Sequence, residues 1–450
     1  MKRTCSAVRL TITLALTCYA SLVHTESLLT SKDFQKFNDK QVDVGRLLFF
    51  DKILSGNRNI SCSTCHHPKL GTTDQLSLGV GEGGVGIGPN RTSGSGSDRI
   101  KRRVPRNAPA LWNLGAREIN TLMHDGRISI SDDYDNGFNT PAQEWLPRGL
   151  NSVVAAQALF PMISATEMAG SNQENEVAGA KNVRPDTAWP IIAKRVRSIP
   201  EYAERLVAAF ENLDNAEQIT IVHIANSLAA YINTEFKSTD SAFDNWLGGD
   251  KSALNKLQLQ GKELFFGKAT CSTCHSGALF SDHSFKALSL PAFGPGRTRL
   301  WDPIARDVGR AGESNRIEDA YRFRVPMLRN VALSAPYGHN GAYPTLAAMI
   351  NHHRDPQASR KHWTKEQAKL PAAAWLNETD FVIMQDKLEM QRQNSKIDIS
   401  LPAIDDQEVK ALVAFLESLT GNQAKNRRFA IPTVVPSGLP VDFVEITEPR

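Results

Sequence analysis

Twice in this chain the run Cys-Ser-Thr-Cys-His follows a Leu-Phe-Phe segment. Gly45 to His66 reads GRLLFFDKILSGNRNISCSTCH, and Gly261 to His275 reads GKELFFGKATCSTCH. One supersecondary unit written twice implies two similar domains. We place the first over residues 26–245 and the second over 246–425, with an extended tail over 426–450. A chain of 450 residues has room for both. The box also carries chemistry. In CxxCH the two thiols add to the vinyl groups of a haem, and the next residue supplies the proximal imidazole. Cys62, Cys65 and His66 therefore attach one haem c, and Cys271, Cys274 and His275 attach a second. A single box could be a zinc half-site or a redox pair. Two identical boxes in related contexts remove that alternative.

The other two of the six cysteines, Cys5 and Cys18, lie near the N-terminus. Lys2 and Arg3 form a basic start, and Val8 to Val23 is mostly apolar but short and interrupted. This is the pattern of a secretory signal cleaved between Ala20 and Thr25. Residues 1–25 are then a signal peptide and the mature protein is periplasmic. The alternatives are an uncleaved anchor or a lipid on Cys18, for which Ala15, Leu16 and Thr17 make a poor lipobox. No second apolar run is long enough for a stable membrane span. A net charge of +4 directs no strong field at nucleic acid or an anionic membrane.

Helical signals dominate the segments between the boxes. Ile221, Ala225, Leu228 and Ile232 share one helical face. Asp405 and Glu408 form an N-terminal capping pair, Val409, Leu412, Val413, Leu416 and Leu419 continue that helix, and Gly421 is its expected stop. Strand-like alternation is scarce. The expected fold is mainly α: two cytochrome c-like domains, each with one covalently bound haem c, and long loops. Gly79 to Pro105 is rich in Gly and Ser and leads through Arg99, Lys101, Arg102 and Arg103 to Arg106. It lacks the strand and helix context of a phosphate loop. We read it as a mobile solvated loop, with a basic docking surface for an acidic partner as the alternative. The proline-bearing tail is expected to run extended over the surface.

Four longer stretches carry a resemblance. They are RNAPALWN (Arg106 to Asn113), HDGR (His124 to Arg127), QALFPMISATEM (Gln157 to Met168) and VPMLRNVALSAPYGHNGAYPTL (Val325 to Leu346). In type, order and placement around the boxes the chain resembles the bacterial diheme cytochrome c peroxidases and the MauG proteins. The resemblance implies that the N-terminal haem is peroxidatic, with an open face lined by Gln157, Pro161 and Glu167. A carboxylate there can carry a proton from one peroxide oxygen to the other. Peroxidases of the family also keep a loop histidine that caps this haem. None occurs between Pro68 and Met123, so haem one is expected to be five-coordinate and ready.

The family's second ligand to the other haem lies fourteen residues after the His of a PYxH motif, which from His339 is His353. His352 is the alternative. Bis-histidyl ligation in place of Met/His lowers a haem's potential. The family's Trp before Asp-Gly-Arg is replaced by His124, so holes must cross between the haems by another route or through imidazole as a bridge. Arg127 holds a haem propionate or Asp125. The resemblance also implies one Ca²⁺ between the domains, on the Asn107 side chain and the Ser334 and Pro336 carbonyls.

Three functions are compatible with this set. The first is reduction of hydrogen peroxide, with electrons from a small redox protein (a cytochrome c or a cupredoxin) relayed through the C-terminal haem. The second is a MauG-like enzyme that uses a peroxide-derived high-valent haem to oxidise Trp or Tyr residues of a partner protein. The C-terminal PSGLPV stretch is similar to that of MauG-like proteins paired with copper-binding partners. The third, a plain electron carrier, is disfavoured by Gln157 and Glu167 over an open iron. Family members are often homodimers.

Overall fold

The computed structural model describes residues 27–298, 306–426 and 428–444. The expected signal peptide, residues 1–25, lies outside them. The Leu-Phe-Phe segments end two helices, Asp39–Phe50 and Lys256–Phe266. Asn38 caps the first, its side-chain oxygen accepting the Lys40 N–H, and Asn255 caps the second through Gln258. Each packs on a later helix of its own half, Ile221–Glu235 and Asp406–Ser418 respectively. The Asp405–Glu408 capping box forms as expected.

Both pairs cross at a glycine. A Cβ on Gly45 would lie 1.9 Å from the Ser227 carbonyl oxygen, and one on Gly261 would lie 1.9 Å from that of Ala411. Only a residue without a side chain lets the backbones approach this closely. The duplication extends to the loops. Asn113 and Asn330 both adopt the left-handed conformation, φ 60° and 59°, which asparagine tolerates better than most residues. Asn113 donates its N–H to Phe236 O, and its Oδ1 accepts from Ser238 N. Asn330 repeats the pattern with Leu419 O and Gly421 N. Gly421 is thus a contact point just past the helix, which stops at Ser418.

Burial follows the same division. One apolar core gathers mostly residues from Leu29 to Phe236, joined by Leu279, Ala424, Val435 and Val441, and a second gathers residues from Phe243 to Leu419. The strands are short: a three-stranded antiparallel sheet (Thr121–Leu122, Ile128–Ile130, Phe138–Asn139) and a two-stranded one (Phe285–Lys286 with Phe323–Arg324). The molecule is mainly helical.

The loop from Gly79 to Pro105 departs from expectation. It is anchored along its length. Arg91 is buried and donates to the carbonyls of Val80, Gly81 and Gly86. Arg103 is buried against Asp380 at 2.7 Å, Trp375 donates to Ile100 O, and Arg99 stacks over Trp375 at 4.2 Å. Lys101 bonds Ser171 and Glu174. Arg106 is also buried in ion pairs, whereas Arg99, Lys101 and Arg102 stay exposed. Lys101, Arg103 and Arg106 meet acids, and Arg99 an aromatic ring, that are distant in sequence.

Residues 428–444 form no helix or strand and strap the first box. Val435 and Val441 are buried. Asp442 pairs with Lys52 at 2.6 Å and accepts from Thr64 Oγ1, within the first CSTCH run.

Candidate active site

One connected cavity of about 820 Å³ runs between the two halves. Cys62, Cys65 and His66 line it at one end, and Cys271, Cys274 and His275 at the other. All four thiols are free. Each box histidine is oriented by a backbone carbonyl: His66 Nδ1 lies 3.0 Å from Thr72 O, and His275 Nδ1 lies 3.2 Å from Phe280 O. A carbonyl only accepts, so Nδ1 carries the proton and Nε2 keeps its lone pair. Burial pushes the pKa of both rings down, that of His275 to about 4, which keeps the imidazoles neutral. Free thiol pairs, neutral imidazoles and a shared apolar-walled space are the donor set a c-type haem takes. The residues present fit the two haems.

The Arg106–Asn113 segment braces the first site. Leu111 N–H donates to Thr72 Oγ1, and Trp112 Nε1 donates to Gly71 O. These bonds hold the turn whose Thr72 carbonyl orients His66.

Gln157, Pro161 and Glu167 line the cavity too. Gln157 comes from the helix Val153–Ala158, and Pro161 opens the single turn Pro161–Ile163. Glu167 follows a turn in which the Ser164 carbonyl accepts three successive N–H groups, those of Glu167, Met168 and Ala169. The anchored loop bonds beside it, Glu82 N–H to Thr166 O.

At the second site the adjacent histidines part. His353 lines the cavity, with Nδ1 bonded to Met349 O at 2.8 Å. His352 is fully buried away from it, and both its nitrogens are engaged, by the Tyr343 hydroxyl at 2.9 Å and Leu288 O at 2.8 Å.

Between the two ends stand His124, Phe323 and His339, all on the cavity wall. The Phe323 and His339 rings stack 3.6 Å apart at 7°. His124 Nε2 bonds Asn107 O at 3.1 Å, and burial lowers its pKa to about 4. Of the two partners expected for Arg127, Asp125 is in contact, at 3.1 Å. Asn107, Ser334 and Pro336 also line the cavity, and Asn107 Nδ2 donates to Leu76 O, leaving Oδ1 unengaged by that bond.

Two cavity residues were not legible as site residues. Asp74 is buried with Oδ2 unpartnered, and burial pushes its pKa up to about 7. Arg324 lines the wall between the halves. Neither belongs to a motif with its own chemistry, so no local signal marked them.

Residues 39–252 match the family described as di-haem cytochrome c peroxidase. The chain is 27% identical over 400 residues to the cytochrome c551 peroxidase of Nitrosomonas europaea, an alignment covering 89% of this chain and 85% of that protein. It is 29% identical over 316 residues to the methylamine utilization protein MauG of Methylorubrum extorquens, covering 70% and 68%. Among solved structures, a MauG-like protein associated with microbial copper homeostasis aligns with a TM-score of 0.58 at 24% identity, over 93% of this chain and 99% of that one. The diheme peroxidase BthA from Burkholderia thailandensis aligns with a TM-score of 0.57 at 19% identity, over 92% and 93%. At these identities the structural likeness speaks for the fold.

Proposed function

We propose that this chain, which matches the di-haem cytochrome c peroxidase family over residues 39–252, is an oxidoreductase of that family that reduces hydrogen peroxide at the haem of its N-terminal half with electrons relayed through the haem of its C-terminal half. The observation that carries this proposal is the common cavity, which both CSTCH boxes and Gln157, Pro161 and Glu167 line together. Two cytochrome c domains, 26–245 and 246–425, are the matching architecture. The glycine crossings at Gly45 and Gly261 and the paired asparagine turns support it.

Bound haem supplies the redox chemistry at which the peroxide O–O bond breaks. The protein's own residues manage the protons. Glu167 takes a proton from one peroxide oxygen and returns it to the other, so that the leaving oxygen departs as water. Two electrons and two further protons complete the conversion of one peroxide to two waters. Gln157 orients the peroxide and Pro161 shapes the space beside it. His353 would hold the C-terminal haem as its second ligand. Its Nε2 is left open by the Nδ1 bond to Met349, whereas His352 has no nitrogen to offer.

Calcium fits the seam. Asn107 Oδ1 from one half and the Ser334 and Pro336 carbonyls from the other are hard oxygen donors. A signal peptide over 1–25 and a periplasmic location complete the proposal. Among the described residues no helix is long and apolar enough to cross a membrane.

A second function is favoured by a specific observation. The loop over the first site has no histidine between Pro68 and Met123 and is held down by Arg91 and Arg103. An imidazole, His353, takes the place of the family's Met. A site that is open at rest, joined to a low-potential partner haem, suits MauG-like oxidation of Trp or Tyr residues in a partner protein. Stopped-flow mixing of the diferric protein with peroxide separates the two, with and without a reduced small cytochrome c. Rapid, catalytic oxidation of the donor supports peroxide reduction. A persistent oxidised species that leaves the donor reduced rejects it in favour of partner-protein oxidation. Glu167→Gln should slow the peroxide reaction by about 10²-fold or more, and an unchanged rate would remove Glu167 from its role.

A further inference from the structure

We infer that Arg324 is a propionate-binding residue, whose guanidinium takes up a haem carboxylate at the seam between the two sites and holds that haem's potential up. The inference rests on the two-haem proposal above.

Charge accounting around the cavity wall leads to it. Arg106 bridges Asp125 at 2.6 Å and Asp307 at 2.7 Å. Arg127 makes a second claim on Asp125, at 3.1 Å. Arg297 reaches Asp125 at 3.5 Å and Glu313 at 3.4 Å. Arg324 has no carboxylate partner among the described residues. Its guanidinium donates only to carbonyl oxygens, Met123 O at 3.3 Å and Val325 O at 3.5 Å. Both bonds are long, and neither supplies a countercharge. Burial alone acts on this group and lowers its pKa to about 10, so it stays charged near neutrality. A buried guanidinium without an anion is strongly unfavourable.

The missing anion has a natural source. Each haem brings two propionate carboxylates into the same space, and a planar guanidinium fork matches a carboxylate in two parallel hydrogen bonds. Arg324 lines the cavity between elements of the two halves. Its own N–H donates to His124 O at 2.7 Å in the N-terminal half. Two residues on, the Pro326 carbonyl contacts His275, the box histidine of the C-terminal half. A cation next to a haem disfavours the ferric state, which carries the extra positive charge. Its removal therefore lowers the reduction potential.

The test compares holoprotein of the wild type, Arg324→Gln and Arg324→Lys. Haem content comes from the pyridine haemochrome, midpoint potentials from spectroelectrochemical titration, and the propionate bending bands from resonance Raman. Arg324→Gln is expected to lower the midpoint of one haem and to shift its propionate band. Arg324→Lys is expected to keep that midpoint near the wild-type value while shifting the band, because the charge stays and the fork is lost. A Gln variant with two haems, unmoved midpoints and unmoved bands overturns the inference and leaves the two-haem proposal standing. If Arg324→Gln fails to accumulate, Arg324→Lys decides: a shifted band supports the assignment and an unmoved one overturns it. Fewer than two haems in the wild type overturns the proposal and this inference together.

Discussion

His352 and His353 are adjacent in sequence but face opposite surroundings. On a helix, successive residues project about 100° apart, so one imidazole meets Tyr343 and Leu288 while its neighbour meets the cavity. His353→Ala should convert the C-terminal haem from low spin to high spin, read by electron paramagnetic resonance. His352→Ala should leave the spin state alone and cost about 2 kcal/mol of stability through the two lost buried hydrogen bonds. The reverse pattern would exchange the two roles. Asp74 makes a different prediction. Its folded pKa of about 7 lies above the ordinary 3.8, so between about pH 4 and pH 7 the folded state binds more protons than the unfolded one. Stability from this group is therefore full below pH 4 and lost as pH rises through 7. Asp74→Asn should match the wild type near pH 4 and exceed it at pH 8, by on the order of 4 kcal/mol. Parallel melting curves across that range would show that Asp74 is already ionised in the native protein.

At the scale of elements, the two halves are built on one joint used twice. The helix ending in Phe49 and Phe50 crosses Ile221–Glu235 at Gly45, and the helix ending in Phe265 and Phe266 crosses Asp406–Ser418 at Gly261. Gly261→Ala puts a methyl group into the Ala411 carbonyl and the Phe415 side chain. Overpacking of this kind should destabilise by about 3 kcal/mol in urea unfolding. Gly179→Ala is the control, since nothing lies within 4 Å of its Cβ in the helix Glu176–Lys181. It should be neutral or stabilise by about 0.5–1 kcal/mol. A Gly261→Ala variant as stable as the wild type, or stabilised like Gly179→Ala, would show that the crossing tolerates a side chain. The capping pair at Asp405 and Glu408 and the apolar face of Ile221–Glu235 were legible in the sequence because a cap and a helical stripe are set within a turn or two. The anchored loop was not. Gly, Ser and Arg compose a solvated loop and a pinned one alike, and Arg103 meets Asp380 only after the chain has returned to it.

For the whole molecule, two apolar cores flank one cavity, so the site is complete only when the halves are docked. A Ca²⁺ held by Asn107, Ser334 and Pro336 would tie that docking to a ligand. Above saturation, each tenfold rise in free Ca²⁺ should then add about 1.4 kcal/mol to stability, seen as a rising melting temperature that Mg²⁺ does not reproduce. A melting temperature indifferent to Ca²⁺ and to chelation would exclude the site.

What the sequence determined by itself is the chemistry written in contiguous residues. The two CSTCH boxes specify covalent attachment and a proximal imidazole, and their repeated context specifies a duplicated helical frame. The QALFPMISATEM run named Gln157, Pro161 and Glu167, which line the cavity together. The tertiary structure alone decided which charges are answered and which are not. Arg103, Arg106, Arg127 and Arg324 are the same residue type, and three of them meet carboxylates while the fourth meets only carbonyls. The energy of a buried charge depends on what packs over it, and the carboxylate that answers Arg103 comes from 277 positions away in the chain.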